Sequence, residues 1–150
     1  MRNEDIYSIA SNFRSAILEA KYNREFNSRD RMSNFPSGCC DDSCDLLAYY
    51  LDTTYNIHTR QRNGRYCDND FYNTTNHVWL VMDEDTIIDI TGDQFRFCTE
   101  YAKEVYVGKE NSFYKKLEDK RIDENCDITQ NIRLWNDYQI IMSYMPDNLL

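Results

Sequence analysis

Three residues in this chain have the types and order needed to break an amide through a covalent intermediate: Cys40, His77 and Asp89. A thiolate attacks carbonyl carbon, an imidazole takes and returns the proton, and a carboxylate on the other ring nitrogen holds the imidazole and its charge. Cys40 stands in the run Phe35-Pro36-Ser37-Gly38-Cys39-Cys40-Asp41-Asp42-Ser43-Cys44-Asp45-Leu46-Leu47. Pro36 and Gly38 punctuate an irregular approach. Beyond it, Ser43, Leu46, Leu47, Tyr50 and Leu51 recur at helical steps. Asp41 and Asp42 suit a first helical turn, so Cys40 falls where unpaired backbone N–H groups favour a thiolate. The plainer reading makes Cys39, Cys40 and Cys44 small apolar fillers.

The other two residues belong to the clearest β signal in the chain. His77-Val78-Trp79-Leu80-Val81-Met82 and Thr86-Ile87-Ile88-Asp89-Ile90-Thr91 flank an acidic turn, Asp83-Glu84-Asp85. Two apolar runs around a short turn predict a hairpin, central in its sheet and covered on both faces. His77 and Asp89 are polar groups in that apolar setting and need partners. With an odd-numbered turn they share a face of the ribbon; an even turn separates them. The sequence leaves that register open, and a different one would bring Asp93 forward as the acid.

The remaining elements must carry these residues. Asn3 to Tyr22 reads as a helix capped by Asn3, with Ile6, Ile9, Ala10, Phe13, Ile17 and Ala20 as its apolar stripe. The polar stretch from Asn23 to Asn34 reads as a connection whose arginines, Arg24, Arg29 and Arg31, face solvent. The cysteine-bearing helix is expected to end near Tyr50 or Leu51. Tyr55 to Thr59 then alternates like a strand, with His58 an ordinary strand histidine and Gly64 a turn before Arg65-Tyr66-Cys67. Asp68 to Asn76 reads as a polar loop, Asp93-Gln94-Phe95 as another, and Glu104 to Val107 as a short strand. Lys109 to Arg121 is charged and reads as helical. A last helix, capped by Asp127, places Ile128, Ile132, Trp135, Tyr138 or Gln139, Met142 and Met145 on one stripe.

At 150 residues the chain is sized for one domain, 1–150, without an internal linker or repeat. A formal charge of −9 argues against nucleic acid as a partner, because phosphate neutralisation needs clustered Lys and Arg. The first apolar helix is broken by Ser, Asn and Arg, so it reads as neither a membrane span nor a signal-peptide core. The six cysteines show no disulfide-framework spacing, which points to reduced thiols and a cytoplasmic origin; delivery by a route needing no N-terminal signal stays open. No cofactor motif is present.

The runs Phe35 to Ser43, His77-Val78-Trp79-Leu80 and Ile87 to Phe95 resemble the papain-like and transglutaminase-like cysteine superfamily. The His-x-Trp strand followed by an Asp-x-Thr strand is similar to transglutaminase-like enzymes. The Gly-x-Cys entry to a helix is similar to small bacterial papain-fold toxin and effector domains, dermonecrotic-toxin-like deamidases among them. The resemblance covers about Phe35 to Phe95. It implies an α+β, papain-like fold, with N-terminal helices packed on a central antiparallel sheet. It also implies Cys40 as nucleophile, His77 as base, Asp89 as third member and Gln94 as a donor to the oxyanion. The expected activity is acyl transfer from an amide of a protein or peptide substrate: peptidase, glutamine deamidase or transglutaminase. The alternatives are an inactive papain-like binding domain and a zinc-binding structural module using Cys40, Cys44, Cys67 and His77.

Overall fold

The computed structural model describes residues 1–67, 74–83, 85–95 and 103–146. Much of the polar loop read from Asp68 onward, as well as Glu84 and Cys98, lies outside the described residues. The chain is α+β. Helix α1 (Asn3–Tyr22), a 3-10 turn (Arg31–Asn34) and helix α2 (Cys40–Tyr55) precede strands β1 (Thr59–Cys67), β2 (Thr74–Met82) and β3 (Thr86–Asp89). A 3-10 turn (Gly92–Phe95), β4 (Tyr106–Gly108), α3 (Ser112–Lys116), β5 (Glu118–Asp123), a further 3-10 turn (Ile128–Gln130) and α4 (Ile132–Ser143) follow. The five strands form one antiparallel sheet in the order β4-β3-β2-β1-β5.

The apolar hairpin expected from the sequence supplies the centre of this sheet, with β2 as its middle strand. Each face has its own apolar layer. On one, Leu80, Ile88 and Ile90 join Phe13, Ile17, Leu46, Leu47, Leu51, Leu134 and Ile141 from α1, α2 and α4. On the other, Trp79, Val81 and Ile87 meet Phe95, Phe113, Tyr114 and Leu117. Burial of such a large apolar side chain is worth about 1.5–3 kcal/mol, so these two layers fix which strand faces point where.

Several elements depart from the sequence reading for identifiable reasons. Helix α1 begins as expected, but Arg2 occupies the cap position, its backbone N–H donating to Asp5 Oδ2 at 3.0 Å. Helix α2 continues to Tyr55 and stops on Asn56, whose left-handed backbone (φ 55°) suits an asparagine. The strand expected to start at Tyr55 therefore begins at Thr59, and Gly64 lies inside it instead of at a turn. A Cβ at Gly64 would stand 2.9 Å from Leu117 Cβ and 3.3 Å from the Trp79 ring, so the glycine lets the chain after α3 cross closely over β1.

The charged segment after Lys109 forms only the short α3. Asn111 caps it, and from Glu118 the chain pairs with the edge of β1. Backbone pairing overrides the helical composition there, and the resulting edge strand is almost wholly charged, which guards an exposed sheet edge. In the last segment Asp127 caps only the 3-10 turn, and Asn131 caps α4, its side chain accepting from Leu134 N. That interruption rotates the stripe: Leu134, Tyr138 and Ile141 are buried, whereas Ile132 is 83% exposed.

Candidate active site

Cys40 is the first residue of α2. Gly38, in the left-handed region at φ 71°, turns the chain into the helix, and Cys39 occupies the cap position. The start of this helix is clamped from outside. Asp42, nearly fully buried, accepts from Arg31 Nη2 at 2.9 Å and from Arg133 Nη1 and Nη2 at 3.0 and 3.2 Å. Arg133 also reaches Asp30 at 2.9 Å, tying α4, the first 3-10 turn and α2 together. Arg31 is thus a structural partner, not one of three free solvent-facing arginines.

The three clustered cysteines separate cleanly. Cys39 is buried and its Sγ lies 3.7 Å from Ser43 Oγ; burial pushes its thiol up to about 12. Cys44 is also buried, and burial pushes it well above the ordinary thiol range. Cys40 is partly exposed and close enough to His77 to help raise its pKa. Cys39, Cys40, Cys44, Cys67 and Cys126 are all free thiols.

The hairpin register answers the question the sequence left open. Met82 pairs with Thr86 across the turn, Leu80 with Ile88, and residues of equal parity therefore face the same way. His77 and Asp89 share a face, one pair offset along the ribbon. His77 Nε2 lies 2.6 Å from Asp89 Oδ2, and both side chains are buried. Asp89 is saturated: Oδ2 also accepts from the Tyr114 hydroxyl at 2.6 Å, and Oδ1 accepts from Thr91 N at 3.0 Å.

Burial alone would pull the His77 pKa down. The Asp89 charge and hydrogen bond, with a further contribution from Cys40, outweigh it and hold the imidazole up at about 9. Asp89 shows the reciprocal effect, burial opposing its charge while His77, Tyr114 and Thr91 hold its carboxyl below the usual range. Because Nε2 is committed to Asp89, Nδ1 is the ring nitrogen left for other partners. Trp79 stacks along the imidazole at 5.5 Å, and Phe95 and Phe113 stand edge-on at 5.0 and 5.9 Å, so the ring has little freedom to turn.

Gln94 stands at the same corner, its Nε2 3.2 Å from His77 Nδ1. The neutral ring accepts from that amide; the protonated ring has no lone pair left to offer it. Asp93 is elsewhere engaged. Both its oxygens bind Arg14 of α1, at 2.8 and 3.0 Å, while Arg14 also donates to the backbone carbonyls of Ile90 (2.5 Å) and Glu104 (3.2 Å). This buried clamp holds the 3-10 turn that carries Gln94.

Cys40, His77, Asp89 and Gln94 are therefore brought together, and Asp93 is not. His58 is exposed at the entry to β1. Cys67 is exposed, its thiol donating to Glu118, and among the described residues no three His, Cys, Asp or Glu side chains are arranged to hold a metal. Thr91, Tyr114 and Arg14 were not singled out from the sequence as parts of this site. Thr91 carried a signal, since a hydroxyl residue two after an aspartate readily turns its N–H back to the carboxylate. Tyr114, in a segment read as a charged helix, and Arg14, within an apolar stripe, carried none.

No family model, no curated protein and no solved structure matches the chain.

Proposed function

We propose that this protein is a papain-like cysteine hydrolase that transfers the acyl group of a protein or peptide amide to Cys40 and then to water. The observation that carries this reading is the buried His77–Asp89 pair at 2.6 Å, beside a thiol at a helix start that helps raise the imidazole's pKa. The Cys40 proton passes to His77 Nδ1, and the thiolate attacks the carbonyl carbon. The C–S bond forms and the carbonyl oxygen takes up the negative charge. The backbone N–H of Cys40, free at the first turn of α2, and the Gln94 amide are the donors for that oxygen. Protonated Nδ1 offers Gln94 Nε2 no lone pair, so the amide is free for the oxyanion whenever His77 carries its proton.

As the C–N bond breaks, the imidazolium returns its proton to the departing nitrogen. Water then attacks the thioester, His77 takes its proton, and the C–S bond breaks to give the acid and restore the thiol. With ammonia leaving, the reaction is deamidation of glutamine; with a chain amine leaving, it is proteolysis. No helix among the described residues is long and apolar enough to cross a membrane. The free thiols fit work in a reducing compartment.

Alkylation and mass spectrometry test the reading together. Iodoacetamide at neutral pH is expected to modify Cys40 before Cys67 and Cys126, although both of those are more exposed. Exposure without activation would give the opposite order. Candidate protein substrates incubated with the wild type are expected to show either the mass of an amide exchanged for an acid or new fragments. Cys40→Ala, a small change at a partly exposed position, is expected to stay folded and to abolish both. Activity that survives in the folded variant overturns the proposal.

A further inference from the structure

Tyr114 has no part in the steps above, yet it shares an atom with them. Its hydroxyl donates to Asp89 Oδ2 at 2.6 Å, and His77 Nε2 lies at the same distance from the same oxygen. Thr91 N occupies the other carboxylate oxygen. The tyrosine is 2% exposed, and its ring lies against Phe113, Trp79 and Tyr106 at centroid separations of 5.0, 5.2 and 5.5 Å. Asn111 Oδ1 fixes the turn beneath it by accepting from Phe113 N and Tyr114 N. The hydroxyl is thus delivered to Asp89 from an element far from the hairpin, and the surrounding rings leave it no other direction.

We propose that Tyr114 is a positioning residue for the cysteine–histidine chemistry: by donating into the carboxylate oxygen that holds His77, it limits how tightly Asp89 grips the protonated imidazole. The proposal rests on the hydrolase reading for its purpose but not for its measurement. Two donors on one oxygen share its negative charge, so each bond is weaker than it would be alone. An imidazolium gripped too strongly is slow to return its proton to a leaving nitrogen. The tyrosine keeps the pair from closing into an inert ion pair. Burial and the Asp89 charge keep the phenol protonated, so it remains a donor across the working pH range.

The groups facing this pair are Cys40 and Cys44 from α2, Tyr106 from β4 and Gln94 from the 3-10 turn. None of them donates to Oδ2 among the bonds of the described residues.

The chain has two histidines, one buried at the site and one exposed, so ring resonances in an NMR titration assign themselves once His58→Gln is compared with the wild type. In Tyr114→Phe the His77 midpoint is expected to move upward by roughly half a pH unit or more, while His58 stays where it was. A substrate, once found, should show the same variant losing kcat while KM holds. A second variant guards against a folding defect: 3-fluorotyrosine at position 114 alone is a stronger donor of nearly the same shape and is expected to lower the His77 midpoint. An unmoved or lowered midpoint in Tyr114→Phe, or an unmoved or raised one with 3-fluorotyrosine, overturns the positioning role. Neither titration depends on turnover, so surviving activity in Cys40→Ala would remove the hydrolase reading without deciding this one.

Discussion

His77 is an ionisable ring with essentially no solvent contact, and Asp89 is the reason it can carry charge there. The energetic consequence has a definite sign. His77 titrates at about 9 in the folded protein against an ordinary 6.5, so its contribution to stability is complete below pH 6.5 and disappears as pH rises through 9. Asp89, lowered from 3.8, adds stability above that value and loses it as pH falls through its folded pKa. Asp137 is pushed up to about 8 by burial and by its neighbour Asp30, and it adds a separate decline between pH 4 and 8. That decline is common to the wild type and to Asp89→Asn. Denaturant midpoints measured from pH 6 to 10 are therefore expected to fall further in the wild type than in Asp89→Asn, with the excess loss over the shared Asp137 decline continuing to pH 9. Parallel curves would mean that the ring is not charged in the fold.

At the level of elements, what matters is how closely separate pieces approach one another over the hairpin. Gly64 pairs with His77 across β1 and β2, and the close passage of Leu117 over it brings α3, and with it Phe113 and Tyr114, onto the site. Gly64→Ala forces a Cβ within 2.9 Å of Leu117 Cβ. Such overpacking is expected to cost about 1–3 kcal/mol in a urea unfolding curve. It should also detach Tyr114 from Asp89, visible as an altered His77 resonance. The hairpin and the helix that begins at Cys40 were legible in the sequence because alternation and helical spacing are local properties. Gly64, by contrast, reads locally as a turn, and only the passage of a chain fifty residues away gives it another use. Likewise Lys109 to Arg121 has helical composition, and nothing within it reveals the vacant edge of β1 that draws it into a strand.

Across the whole molecule, the site is assembled from both ends of the chain. Arg14 from the first helix fastens the turn bearing Gln94, and Arg133 from the last helix fastens the start of α2 through Asp42. Apolar periodicity identified both helices, but the guanidinium groups inside them were invisible because their partners are some 80 to 90 residues distant. The Arg14–Asp93 pair is 8% and 13% exposed. Removing the cation strands a buried carboxylate, so Arg14→Met is expected to lose about 3–5 kcal/mol of stability by chemical denaturation. A loss below about 1 kcal/mol would indicate that the carboxylate finds water instead. The two-ended clamp also implies that cutting either terminal helix away disturbs the corner that holds Cys40 and His77, although neither helix supplies either residue.

Trp79 stacks on the His77 ring at 5.5 Å with the two planes 30° apart, and the only other indole in the chain is Trp135. A protonated imidazole draws electron density from an excited indole and quenches its emission, whereas a neutral one does so far less. In Trp135→Phe, ultraviolet fluorescence should therefore brighten as the solution passes alkaline through pH 9, turning the buried proton into an optical signal readable in milliseconds. The molecule carries its own lamp beside the group whose charge matters most.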